Sequence, residues 1–169
     1  GQRALRAKIN LASAEIRHLI YSNERDSLIL LSDDLEINAT EIQGNIHART
    51  RALQELQVKM SDWMNQNEVE RTLSNQFLAD AESKYGESDQ LFLVEMARDR
   101  LNLVQEISVL LQKLQTDLLD AYFLINIIEK QLINHQGVFQ NWGAKIRASL
   151  SNAWRSTKQT LNAALFKVG

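Results

Sequence analysis

Residues 94–132 read VEMARDRLNLVQEISVLLQKLQTDLLDAYFLINIIEKQL, and apolar side chains return there every three or four positions without interruption. Val94, Ala97, Leu101, Val104, Ile107 or Ser108, Leu111, Leu114, Leu118, Ala121, Ile125, Ile128 and Leu132 hold that alternation, over about six heptads. A seven-residue repeat kept this long winds a helix left-handedly around a partner. The predicted helix runs from about Asp89 to His135, on the order of 70 Å at 1.5 Å per residue.

Working back along the chain, Gly86 and Ser88 supply a glycine helix stop and a serine helix start, so a short turn is expected there. A short turn makes the preceding helix the antiparallel partner. That helix is expected from near Leu28 to Tyr85, with Ile42, Ile46, Arg49, Leu53, Leu56, Met60 and Trp63 as its seam. Met64-Asn65-Gln66-Asn67 interrupts the apolar pattern, and Val69, Leu73, Phe77 and Ala81 resume it at a spacing of four, which predicts a kink or phase shift. The first helix is expected over Arg3 to Tyr21, on Leu5, Ile9, Ala12, Ile16 and Leu19. The polar run from Ser22 to Ser27 reads as a break in which Asp26 or Ser27 caps the next helix. After Gln136-Gly137 a fourth helix is expected over about 138–166, with Phe139, Trp142, Ile146, Leu150 and Leu161 on one stripe.

Composition agrees. In 169 residues there is no proline, which would remove a helix hydrogen bond and clash with the preceding turn. A hydrophobic fraction of 44% separates the chain from disordered sequences. Strand-like alternation and Asn-Gly or Asp-Gly hairpin turns are missing. The expected fold is all-α: an elongated antiparallel helical bundle, or coiled-coil hairpin, of about four helices. Residues 1–137 would form the bundle with its hairpin turn near 86–88, and residues 138–169 a basic amphipathic helix packed on it. A hairpin this long exposes its seam unless other helices cover it. Each buried leucine contributes roughly 1.5–3 kcal/mol against a typical total stability of about 5–15 kcal/mol. The first and fourth helices are therefore expected to cover part of the hairpin, and any uncovered portion to form a homo-oligomeric contact.

Charge is distributed unevenly. Residues 26–137 hold nineteen acidic side chains against nine basic, while residues 1–25 hold five basic against two acidic. Residues 138–169 contain no Asp or Glu, and carry Lys145, Arg147, Arg155, Lys158 and Lys167 among Trp142, Trp154 and Phe166. A basic, tryptophan-bearing amphipathic helix suits a membrane surface or a partner, with the aromatic rings at the interface and the cations on anionic headgroups. These eight residues are the candidate membrane- or partner-facing set. The plainer alternative is an amphipathic helix that closes the bundle and leaves its Lys and Arg in water. Nucleic acid is not expected, because the acidic bulk of the chain would repel it.

Chemistry is hard to place. Cysteine is absent, so thiolate nucleophiles, thiolate metal sites and disulfides are excluded. His18, His47 and His135 lie far apart in sequence, and Asp33, Asp34 and Glu36 lack the alternating oxygen ligands of a calcium loop. No nucleophile elbow or Gly-rich phosphate loop occurs. Glu68 and Glu70 read as a solvated face, and the Asn38-Ala39-Thr40 sequon as incidental. Asn126, inside an apolar run, stands either on the seam, where it would fix register, or on an exposed flank. No enzyme activity, metal, cofactor or small-molecule ligand is expected. The chain opens Gly1-Gln2-Arg3-Ala4 with no initiator methionine or signal-peptide pattern, and is expected to be a piece of a longer protein.

Three phrases carry a family resemblance: Leu118-Leu119-Asp120-Ala121-Tyr122-Phe123-Leu124-Ile125-Asn126-Ile127-Ile128-Glu129-Lys130, then Val138-Phe139-Gln140-Asn141-Trp142, then Leu165-Phe166-Lys167-Val168-Gly169. Over about the final third, the chain resembles the helical region that precedes the membrane spans in large bacterial channels of the small-conductance mechanosensitive family. The resemblance implies a non-catalytic periplasmic domain of an inner-membrane channel that oligomerises through its parent protein. Its C-terminal end would lie near the membrane surface. The channel core is not in this sequence, and no pore residue carries over. Two other classes fit the residues: a ligand-binding helical-bundle sensor of a membrane receptor, with an arginine-lined pocket, and a coiled-coil scaffold.

Overall fold

The structure is a computed structural model that describes residues 1–31, 35–85, 91–135, 155 and 159. Among these residues the chain is helical except at Gly1 and Leu31. Three long helices carry it: α1 (Gln2–Leu30), α2 (Leu35–Tyr85) and α3 (Leu91–His135). The expected fourth helix lies outside the described residues, apart from Arg155 and Gln159, which are helical and exposed. The hairpin turn expected at Gly86 also lies outside them.

The seam read in residues 94–132 is the spine of the molecule. All its positions are buried except Leu101 and Ser108, which are half-buried, the seam taking Ile107 at that turn. Tyr122, Gln115 and Glu129 are buried as well, one heptad apart from one another. That second row widens the buried face beyond the two-position stripe of a simple coiled coil, as a helix in a bundle requires.

The directions of the helices follow from their side-chain pairs. Gln2 bonds to Asn67 and Asn23 to Arg49, so α1 and α2 are antiparallel. Arg6 meets Glu106 and Ser27 meets Gln131, so α1 and α3 run parallel. One apolar core joins all three helices, from Leu5 to Leu30 on α1, Ala39 to Trp63 on α2 and Ile107 to Leu132 on α3. Past the start of α1, α2 and α3 continue as a pair among the described residues, and their apolar cluster there is Ala81, Val94 and Ala97, with Leu78 packed on it.

Two expectations need correction. The break expected at residues 22–27 is absent: α1 continues to Leu30, with Leu31 as its C-cap. Asn23, Asp26 and Leu30 extend the 4-3 spacing of Leu5, Ile9, Ala12 and Ile16, and all are buried. Asp26 therefore caps nothing, and it faces Arg49 across the bundle. The resumed stripe on α2 is also different. Val69, Leu73 and Phe77 are exposed, and the buried positions after Trp63 are Asn67, Ser74 and Ala81. A spacing of four advances about 40° around a helix at each step, so the apolar stripe swings off the seam while the heptad stays on it. α2 is one uninterrupted helix through this region.

Candidate functional site

The sequence-predicted set Trp142, Lys145, Arg147, Trp154, Lys158, Phe166 and Lys167 lies outside the described residues. The eighth residue of the predicted set, Arg155, is described and exposed. The polar chemistry that the structure does bring together lies inside the bundle, in two layers that the helix seams carry between them.

The first layer joins α1 to α2. The Arg49 guanidinium donates to the Asn23 side-chain oxygen at 3.0 Å and to the Asp26 carboxylate. Asp26 is 2% exposed at its side chain, and Arg49 12%, so the pair is largely withdrawn from water. Arg25, on the outer side of α1, approaches the same carboxylate at 3.9 Å. A carboxylate this buried is tolerated only beside a cation with its lone pairs engaged. Arg49 belongs to the α2 seam read from the sequence. Its partners went unread because Asn23 and Asp26 look like turn residues.

The second layer ties all three helices together at the start of α1. Asn67 donates to the Val104 carbonyl at 3.2 Å and to the Ser108 hydroxyl at 2.9 Å, and accepts from Gln2 at 2.8 Å. Ser108 in turn accepts from Arg71 and donates to the Val104 carbonyl at 3.1 Å. Arg71 is held from its own helix by Glu68 at 3.4 Å. Such a layer satisfies its groups only when the helices stand in one register. The register-fixing position is thus Asn67, whereas Asn126 is half-buried on a flank beside the buried Ile125 and Ile128.

Toward the α2–α3 end, Arg100 donates to Glu70 at 2.6 Å and lies 5.7 Å from the centre of the Phe77 ring. The hydrogen bond to Glu70 raises the guanidinium pKa. The carboxylates of Glu68 and Glu70 are thus committed to arginines rather than paired with each other. A cleft of about 380 Å³ opens between α1 and α3, lined by Arg3, Arg6, Asp99, Asn102, Leu103 and Glu106. Arginines in a cleft are what a ligand-binding sensor needs. Here two cations face two carboxylates, and Arg6 is already engaged by Glu106 at 3.2 Å. Among the described residues no three His, Asp or Glu side chains are grouped to share a metal ion, and none of the helices is long and apolar enough to cross a membrane.

Tyr122 offers a spectroscopic handle on the core. Its ring is buried, its hydroxyl lies 3.3 Å from the Gln57 side-chain oxygen, and desolvation pushes its pKa up to about 12. An unfolded tyrosine ionises near 10. The folded state therefore binds the proton more tightly. The resulting stabilisation is complete below about pH 10 and is lost as pH rises through about 12. Stability should decline over that window in the native chain, and the decline should shrink in Tyr122→Phe. Urea melts across alkaline pH check this, and identical slopes in the two proteins would contradict it.

No protein-family model matches the chain, and neither a curated protein nor a solved structure gives a match.

Proposed function

We propose that this chain is a non-catalytic helical domain of a mechanosensitive-type membrane channel, with a structural or coupling role on the extracytoplasmic side of a bacterial inner membrane. The observation that carries the reading is α3. It is one 45-residue helix, about 67 Å long at 1.5 Å per residue, and it leads into the segment with five cations and no carboxylate. A helix braced by α1 and α2 along most of its length moves as a strut. A displacement at one end is then felt at the other without an intervening hinge. The polar layers at Asp26–Arg49 and Asn67–Ser108 support the reading, because they oppose sliding of the helices past one another.

In this reading residues 138–169 form the membrane-facing end, and Arg155, Lys158 and Lys167 lie among anionic headgroups. Exchange of those three for glutamine should weaken binding to vesicles containing phosphatidylglycerol, at about 1 kcal/mol for each cation lost. It should also shift gating of the full-length protein. Unchanged vesicle co-sedimentation together with unchanged gating would sink the proposal.

A further inference from the structure

The hairpin beyond the start of α1 has an apolar side that belongs to the same groove α1 fills. On α2, Arg49 meets α1 through Asn23 and Asp26. Leu56, Trp63, Glu70 and Phe77 follow from Arg49 in steps of seven, so Phe77 continues the α1-facing row. On α3, Leu103 lines the cleft with Arg3 and Arg6, and Met96 is one heptad before it. Phe92 and Arg100 flank Met96 at i−4 and i+4, on the same face, and Arg100 reaches across to Phe77 and Glu70. The row is covered where α1 is present and open where it is not. Leu73 is 48% exposed, Phe77 43%, Phe92 57% and Met96 59%.

We infer that this open end of the groove pairs with the same face of a second copy of the chain, two hairpin tips forming a four-helix bundle about a two-fold axis. Three arguments favour a second copy. Among the described residues the tip's own apolar cluster is Ala81, Val94 and Ala97 with Leu78 packed on it, a small core that helices placed beside it would enlarge. The groove is continuous with one that already accepts a helix, so its width and heptad spacing suit helices. A face shared by two antiparallel helices presents Leu73 and Phe77 opposite Phe92 and Met96, and is self-complementary under a two-fold rotation. Four side chains of about 200 Å² each, half exposed, supply on the order of 400 Å² per copy. With a polar rim the total approaches roughly 1,000 Å², the lower bound for a specific interface. The rim carries both signs, with Glu95 and Asp99 next to Arg98 and Arg100, so like copies are not kept apart by one sign of charge.

The absence of cysteine makes the test direct. An equimolar mixture of the single variants Leu73→Cys and Met96→Cys should form disulfide-linked dimers on mild oxidation at micromolar concentration, and a mixture of Leu11→Cys, on the exposed side of α1, with Met96→Cys should not. Sedimentation equilibrium of the native chain from micromolar to millimolar should show a monomer–dimer equilibrium. It should revert to monomer in the double variant Phe77→Glu/Met96→Glu, with unchanged helical circular dichroism. A native chain that stays monomeric over the whole range would overturn the inference and leave the groove to a different helix. So would a dimer that survives the double variant, or cross-linking of Leu11→Cys with Met96→Cys as efficient as that of Leu73→Cys with Met96→Cys.

Discussion

Arg49→Leu should destabilise the protein by about 3 kcal/mol, the lower end of what removal of one partner from a buried ion pair costs. The loss comes from what the guanidinium leaves behind. The Asp26 carboxylate stays almost wholly out of water, and the Asn23 oxygen loses its donor. Arg25, on the outer side of α1 and 3.9 Å from the carboxylate, offers partial compensation, which places the expected cost at the lower end. Asp26→Leu should also destabilise, by leaving Arg49 facing Asn23 alone. The double variant Asp26→Leu/Arg49→Leu should be more stable than either single one, because apolar side chains of similar volume replace both charges and no desolvated ion remains. Urea unfolding of the four proteins gives the coupling energy. If the two single effects simply add, the pair is not acting as a buried unit and its role in holding α1 to α2 fails with it. In the proposed domain the double variant removes one of the two polar layers that oppose sliding of the helices, so gating of the full-length protein carrying it tests the strut reading.

The spine of this fold was legible because one physical rule dominates it. Over Val94 to Leu132 an apolar residue occupies every seam position, Ile107 rather than Ser108 filling the one ambiguous turn, so spacing and hydrophobicity point to the same face. Where the two part company, spacing was the better guide. Asn23 and Asp26 stand at 4-3 positions after Ile16 and Leu19, yet their polarity reads as a turn until Arg49, twenty-three residues beyond Asp26, is seen to answer it. Asn67 and Ser74 keep the heptad of Met60 and Ala81, while the apolar Val69, Leu73 and Phe77 leave it. A buried polar residue needs a hydrogen-bond partner, and where that partner stands on another helix, as for Asp26 and Asn67, no single helix's pattern reveals it. The charge segregation of residues 138–169 was equally plain in the sequence. What those cations touch is a property of surroundings that a sequence does not hold.

Leu118→Ala should cost about 3–4 kcal/mol, within the range of buried leucine truncations, and lower the melting temperature by roughly 10 °C for a domain of this size. Leu118 is fully buried in the stretch where α1, α2 and α3 share one core. Neighbours from three directions cannot all close on the space its side chain vacates, so the cavity term persists. Val94→Ala should cost only about 1 kcal/mol or a little more, although Val94 is nearly as buried. Val94 belongs to the small cluster of the α2–α3 tip, where two helices alone can move together to close a smaller gap. The same asymmetry should order native-state hydrogen exchange. Amides of residues 107–132 should open only near the global unfolding energy, and those of residues 91–98 well below it, because the latter lie before the stretch of α3 that packs on α1. Self-association at the tip sharpens this expectation, since pairing would raise protection and the cost of Val94→Ala together as concentration rises. Equal costs at the two positions with uniform protection along α3 would mean that α1 contributes little to the core, and that the hairpin is held by its own seam along its entire length.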